Sequence, residues 1–569
     1  MNVFEDQRFL LRSHAPDGNA GDVRKLSWAD IMTGPDEPLS FDYTLEYMNV
    51  AALGLCVSLT QAFLEPASLE KLIDRLDNPV PLAELDAIIR DNREKFGIDK
   101  GFRFMQGPEP KPDRKGRLNK KELSEVILTV NKDKEFLNRP ASGSIVSTDQ
   151  IPLLLFSRST FYQAQGGRGY KNGTSGDLEI RTYLIDPTSL RRTIWLNVLA
   201  TESLPSDFQK LGPDAYDNWM WVDPPKQPDV PQGHISLRAG LFWTVANMWI
   251  DIEELEAPSR CIVSGEELKV GEIAGTGVVI KSTGFRFTNL QNIKAFFEHP
   301  NAPYKIQRDK KDKVSIRFKH LVPKKNSGII GHMAGLFYAN SHETDFRLAP
   351  AIEQLHVMQR TLRINFNIPK TTRYDLLCFG FYMLSKKNNV YGGYESELFN
   401  YPILGSRAED RTKRMETIEH ILKQCAEEAE QIDAILRQAI QRCIMKEVNV
   451  KEIGRISESS ILRDISHELW KYAGEELRGV LNNINSYNRS VEELTLKSDL
   501  QLRTWTQSIC SMAKQIFYRY FLNYSTSPQH LLAAHNARRL FYARIRNLTY
   551  SPFLGTETSP DTTLEESND

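Results

Sequence analysis

The spacing of apolar positions changes character once along the chain, close to residue 400. Before that point short runs dominate. Arg8–Leu11 reads as a strand and Ser27–Met32 as a small helix. Met48–Leu64 is the longest apolar stretch, but Asn49, Ser58, Thr60 and Gln61 interrupt it. A membrane span wants about 20 mainly apolar residues, so this pattern predicts a helix buried in protein. Leu69–Leu76 and Leu82–Phe96 repeat apolar residues at intervals of three and four, the period of an amphipathic helix. Leu123–Asn131 and Ile151–Phe156 are short apolar runs that suit a strand or a short helix equally. Leu178–Leu184 alternates like a strand and precedes the apolar run Ile194–Leu199. Ser203–Gln232 is a Pro- and Asp-rich connection that Trp219 and Trp221 are expected to tuck onto the body. Short mixed elements follow through Ser236–Trp249 and Leu268–Thr283, with a hairpin expected over Lys305–Phe318. Leu348–Asn365 reads as a helix that Pro369 stops, and Arg373–Leu384 as a strand running to the polar tip Lys386–Asn389. Tyr391-Gly-Gly-Tyr394 is then expected to turn the chain.

From Ala408 onward glycine and proline thin out. Ile418, Ile421, Leu422, Cys425, Ala429, Ile432, Leu436, Ala439, Ile440 and Cys443 form one apolar stripe at helical spacing. Further helical stretches run through Ser459–Asn482, Val491–Leu522 and Pro528–Leu548. Four long helices joined by short loops predict an antiparallel bundle. The fold class expected is α+β: a large mixed domain over 1–400, a four-helix bundle over 408–550, and an acidic, disordered tail over 556–569.

Composition narrows the function classes. The chain has 569 residues, 41% hydrophobic and 25% charged, with a net charge of −1. Any nucleic-acid surface must therefore come from local patches rather than from overall charge. Six cysteines without a C-x-x-C pair argue against a zinc ribbon or a disulfide framework and fit reduced cytosol. The first residues, Met1-Asn-Val-Phe-Glu-Asp-Gln-Arg8, carry no apolar signal core, so a soluble cytoplasmic protein is expected.

The densest candidate chemistry is Ala164–Asp177, which holds Gly166, Gly167, Gly169, Gly173 and Gly176 with Arg168, Tyr170 and Lys171. Glycine lets backbone approach another surface closely, and free N–H groups beside cations suit a phosphate or a base edge. The local sequence also suits a plain glycine-rich turn. Walker-type and dinucleotide spacings both fail here, no G-x-S-x-G occurs, and His467-Glu468 lacks the second histidine of a zincin. No catalytic residues, cofactor or metal are predicted, and binding is favoured over catalysis. Basic loops recur at Lys305–Lys313, Lys324–Gly328 and Lys386–Asn389, and the last helix carries Arg538, Arg539, Arg544 and Arg546. A solvated face and a contact with non-target DNA or a partner subunit both suit those arginines.

Several stretches, in order along nearly the whole chain, resemble the CasA family, the large subunit of the type I-E CRISPR surveillance complex Cascade. They are Gly101-Phe-Arg-Phe-Met-Gln106, Glu135-Phe-Leu-Asn-Arg-Pro140, Gly166–Gly173 continuing through Leu190–Leu199, Arg238-Ala-Gly-Leu-Phe-Trp243 and His299-Pro-Asn-Ala-Pro303. The resemblance implies a non-catalytic subunit that recognises the protospacer-adjacent motif in duplex DNA and promotes strand separation and R-loop formation. It also implies recruitment of a helicase-nuclease, with guide RNA and the other Cascade subunits as partners. Motif contact falls by resemblance on Gly166, Gly167, Arg168, Gly169 and Lys171, with Arg286 in Ser282–Phe287 matching a family lysine. The strand-separating wedge falls on Lys386, Lys387, Asn388 and Asn389, where the family's glutamine is missing. Guide-RNA or subunit contact falls on Phe136 and Asn138. Some relatives hold a structural zinc through cysteine pairs; only Cys261 remains in the matching region, so no zinc is expected. Readings of another class are a nucleotide-binding enzyme centred on Gly166–Lys171 and a pure scaffold.

Overall fold

The structure is a computed structural model. It describes residues 1–14, 20–99, 103–112, 118–127, 145–161, 179–209, 211–212, 214–226, 229–231, 234–244, 246–282, 286–288, 297–308, 316–324, 327–337, 346–361, 374–385, 390–401, 408–444, 460–486, 491–526 and 530–548. The chain divides into two compact units, 1–323 with 339–401, and 324–338 with 402–569. The second unit thus includes a short segment that lies well before the change of composition. Within it, Ile330 sits against Gly474 of a bundle helix, and Lys324 Nζ pairs with Glu430 at 2.5 Å. Apolar contact, not sequence proximity, assigns this segment to the helices.

The first unit combines helices with several small sheets, none of more than three strands among the described residues. Its central helix, Glu46–Phe63, is buried along most of its length. Asn49, Thr60 and Gln61, three of the polar residues that broke the apolar run, are hydrogen-bonded there. Trp28 Nε1 donates to Thr60 Oγ1 at 3.0 Å, which itself donates to the Cys56 carbonyl at 2.8 Å. Gln61 donates to the Leu199 carbonyl at 3.1 Å and accepts from the Leu199 N–H at 2.7 Å. A buried polar group costs little only when it is hydrogen-bonded, and these pairs fix what packs on each face.

Ile151–Phe161 is a helix rather than a strand, buried over nearly every residue. Its all-apolar text carries no period, so the two elements are indistinguishable locally, and Pro152 is tolerated in a first turn. Trp219 and Trp221 do close the Pro-rich connection onto the body. They stack with centroids 5.5 Å apart, lie 5.0 and 5.4 Å from Phe96, and Trp221 Nε1 donates to the Lys95 carbonyl at 2.6 Å. Tyr391–Tyr394 does not turn the chain. It lies inside the strand Val390–Tyr401, which pairs antiparallel with Tyr374–Ser385. The pairing passes from Tyr382 opposite Gly393 to Met383 opposite Tyr391, so Gly392 is a bulge residue and not a turn residue. Pro369 lies outside the described residues.

Gly240 shows how tightly the first unit is packed. A Cβ there would meet the Phe297 ring at 2.1 Å. Gly240→Ala is expected to lower stability by about 1–3 kcal/mol through overpacking. Chemical denaturation would detect it as a lower midpoint with an unchanged slope.

The second unit contains the long helices Ala408–Ile444, Ser460–Ser486, Val491–Ser525 and Leu531–Arg546. All ten residues of the stripe from Ile418 to Cys443 are buried. The bundle also buries Asp433, to which Ser466 Oγ donates at 2.6 Å. Burial raises this carboxyl above its ordinary range, while the Ser466 hydrogen bond and the Arg437 charge oppose the shift. A carboxyl whose folded pKa is raised stabilises the fold at low pH, and that contribution is lost as pH rises through the folded value. Asp433→Asn keeps the acceptor for Ser466 and removes the charge. It is expected to raise the unfolding midpoint at neutral pH, with the difference from wild type vanishing below the ordinary aspartate pKa of about 4. Denaturation midpoints measured across pH would check both halves.

Candidate nucleic-acid interface

The residues singled out for motif reading, Gly166, Gly167, Arg168, Gly169 and Lys171, lie outside the described residues. So do Phe136 and Asn138, and so do Lys386, Lys387, Asn388 and Asn389. The described elements around them carry the geometry. Residues 162–178 are bracketed by the helix Ile151–Phe161 and the strand Arg181–Ile185. That strand pairs antiparallel with Tyr374–Ser385, Arg181 opposite Phe379 and Ile185 opposite Asp375. The strand that follows the glycine stretch therefore starts at the end of the sheet towards which Tyr374–Ser385 runs before residues 386–389. Two predicted DNA-contacting stretches, far apart in sequence, are thus flanked by neighbouring strands of one three-stranded sheet. The backbone of Arg286 lies in a different pairing, the strand Arg286–Thr288 parallel to Asp229–Pro231.

The sheet is held from one face and from its edge. Phe161, the last described residue before the glycine stretch, packs 5.3 Å from Phe379 and 5.6 Å from Phe381. Tyr183 reaches the central helix at Gly54, where a Cβ would come within 2.9 Å of its hydroxyl. Glycine is required by that close approach. Burial pushes the Tyr183 phenol up to about 12, with the Arg181 charge pulling down and Glu179 pushing up. Arg181 and Glu179 form a buried ion pair beside it. A buried pair of this kind leaves a large cost if either member is removed alone.

Arg181–Ile185 is an edge strand, and its outward N–H groups would be exposed unless something covered them. Each has an acceptor. Ile180 N–H donates to the Leu321 carbonyl and Thr182 N–H to the Asn301 carbonyl, both at 2.8 Å. Leu184 N–H donates to Asn197 Oδ1 at 2.9 Å, and Asp186 N–H to Thr193 Oγ1 at 2.9 Å. Asn197 Nδ2 returns to the Leu184 carbonyl at 2.8 Å, and Asn301 Nδ2 donates to Asn197 Oδ1 at 3.2 Å. His299 Nδ1 accepts from the Asn301 N–H at 3.1 Å and fixes the turn that presents it.

The sequence elements that carried the resemblance therefore do structural work around the glycine stretch. His299–Pro303 and Leu190–Leu199 cap the strand that leaves it. Arg191 is buried and donates to Asp36 at 2.7 Å and to three backbone carbonyls. Arg192 is tied to Asp186 at 2.8 Å. In Gly101–Gln106, Arg103 and Gln106 clasp Ile250 from both sides of its peptide, at 3.0 and 2.9 Å, and the Arg103 guanidinium lies 4.0 Å over Trp249. Sequence reasoning missed the roles of Asn197, Asn301, Arg181 and Gly54. For Asn197 and Asn301 the only signal was their place inside the family-like motifs, which does not reveal which way a side chain points; Arg181 and Gly54 carried none.

Cys261 lies in a small hairpin beside Ile145. Its sulfur accepts from Ser147 N–H and Oγ, both at 3.4 Å, and from Ser264 N–H at 3.5 Å. Ile145 bridges to Cys261, and Ile262 N–H donates to the Ile145 carbonyl at 2.8 Å. Hydrogen bonds thus fill the surroundings of this sulfur. Among the described residues no group of three or more His, Cys, Asp or Glu is placed to hold a metal. Nor, among them, is any helix long and apolar enough to cross a membrane.

No curated protein sequence matches the chain significantly. The structure is similar to CasA (Cse1) of Thermus thermophilus, at 13% identity and a TM-score of 0.64, covering 96% of this chain and 99% of that one. It is similar to Cse1 of Acidimicrobium ferrooxidans, at 13% identity and a TM-score of 0.63, covering 96% and 98%. Cse1 of Thermobifida fusca matches at 13% identity and a TM-score of 0.61, covering 96% and 97%. At such identities these likenesses establish the α+β fold. The sequence profile of the family described as CRISPR-associated protein Cse1 matches residues 16–516. The chain belongs to the Cse1 (CasA) family of CRISPR-associated proteins.

Proposed function

We propose that this chain is the large, non-catalytic subunit of a Cascade-type surveillance complex and reads the protospacer-adjacent motif in duplex DNA through Gly166–Lys171. The stretch Lys386–Asn389 starts strand separation beside it, and Arg286 supplies a second cation to the motif. Phe136 and Asn138 meet the guide RNA or a neighbouring subunit, and the assembled complex recruits a helicase-nuclease once the R-loop has formed. One observation carries this reading: the strands flanking the glycine stretch and the wedge stretch are paired neighbours in a single buttressed sheet. Motif reading and duplex opening must act on adjacent base pairs, and a shared rigid support is the economical way to hold both tasks in register. A solved chain in a structure described as a CRISPR RNA-guided surveillance complex has the same fold at a TM-score of 0.60, which agrees with assembly of this kind.

The minor groove distinguishes little beyond A·T from G·C, so backbone brought close by glycine tolerates more than one motif. Guide pairing supplies the remaining specificity, as in other RNA-guided systems. A photo-crosslinker replacing Arg168 in the reconstituted complex tests the assignment. Crosslinks are expected at the motif base pairs of a target duplex. Motif-independent crosslinks, or none from this subunit, would favour the scaffold reading. Saturable ATP binding by the isolated chain, lost in Lys171→Ala, would favour the enzyme.

A further inference from the structure

The last bundle helix, Leu531–Arg546, is the most one-sided charged element of the second unit. Its 16 residues include Arg538, Arg539, Arg544 and Arg546 and no carboxylate. All four arginines are exposed. The partners of three of them are neutral or absent. Arg538 lies 5.7 Å over the Phe521 ring, Arg544 donates to Gln438, and Arg539 pairs with no carboxylate among the described residues. A solvated helix ordinarily intersperses carboxylates three or four residues from its cations, and this one does not. Arg538, Arg539 and Arg544 fall within about 9 Å of helix and repel one another unless an anion covers them.

The chain supplies such an anion immediately downstream. Residues 547–569 contain no Lys or Arg, and Glu557, Asp561, Glu565, Glu566 and Asp569 follow one another at intervals of one to four. From Leu548 to Glu557 is nine residues, about 30 Å of extended chain, which is enough to fold back along the helix. We infer that the acidic segment Glu557–Asp569 docks on the arginine face of Leu531–Arg546 in the same chain and competes there with nucleic-acid phosphate. Because helix and acidic segment belong to one chain the contact is intramolecular, so weak individual pairs suffice, and a polyanion at higher local concentration displaces it. The bundle thereby holds back from non-specific DNA until the complex brings phosphate to it. This inference rests on the bundle's own charges and is independent of the motif-reading assignment.

The test compares the full chain with a chain ending at Gly555, using a fluorescent random-sequence duplex without guide RNA. Removing the tail is expected to tighten binding about tenfold at low salt, with the gain shrinking as salt rises. Arg538→Gln with Arg539→Gln should abolish that gain, with equal thermal midpoints showing that the bundle remains folded. A synthetic peptide of residues 556–569 should bind the shortened chain and displace the duplex, and should fail to bind the double glutamine variant. Unchanged duplex affinity on removing the tail would overturn the inference. So would a gain, or peptide binding, that persists in the double variant.

Discussion

Gly167→Leu is expected to abolish the motif preference of the assembled complex while leaving guide-directed pairing intact. A leucine side chain holds the backbone away from the groove and restricts its bending, whereas every other contact to the target is untouched. Losing discrimination at one base pair commonly removes about 1–3 kcal/mol, so binding to motif-bearing duplex should fall roughly 10- to 100-fold. Duplexes carrying a scrambled motif should be bound as weakly as before. Gly169→Leu should act alike. Titration of matched and scrambled duplexes measures both effects, and retained preference in both variants would remove the motif-reading role from this stretch.

Asn197→Ala should produce the largest loss of stability. Its amide accepts from Leu184 N–H and donates to the Leu184 and Thr193 carbonyls, at 2.9, 2.8 and 2.8 Å, all of them buried. Alanine strands these groups without water. Leaving buried partners unsatisfied costs more than the net value of the bonds, about 2–4 kcal/mol here. The damage falls on the edge strand that follows the glycine stretch, so motif binding should weaken along with the denaturation midpoint. Asn197→Asp separates the causes, because it keeps the acceptor for Leu184 N–H but sets a carboxylate against two carbonyls. It should destabilise as well, whereas a purely steric role would leave it close to wild type.

Helical periodicity made the second unit legible, because a stripe three and four residues apart has one way to be buried and Ile418–Cys443 takes it. Trp219 and Trp221 were legible for a related reason: two large rings in a polar connection have to be covered. Short elements were harder. Ile151–Phe161 gave no period, and Tyr391–Tyr394 looked like a turn because glycine serves bulges as well as turns. The segment 324–338 belongs with the helices through apolar contacts that composition does not reveal. The candidate interface was readable as a set of motifs, yet the polar residues within those motifs turned inward. Arg191, Asn197 and Asn301 cap carbonyls and strand N–H groups, a role fixed by tertiary pairing of Arg181–Ile185 with Tyr374–Ser385 and hidden from any local pattern.

The central claim, that this subunit reads a short DNA motif through its glycine stretch, is tested most directly by depletion of a plasmid library carrying randomised sequence beside a guide-matched target. The reconstituted complex with its helicase-nuclease should deplete a narrow set of short motifs, and the Gly167→Leu complex should deplete none selectively. An identical motif profile from both complexes would contradict the account.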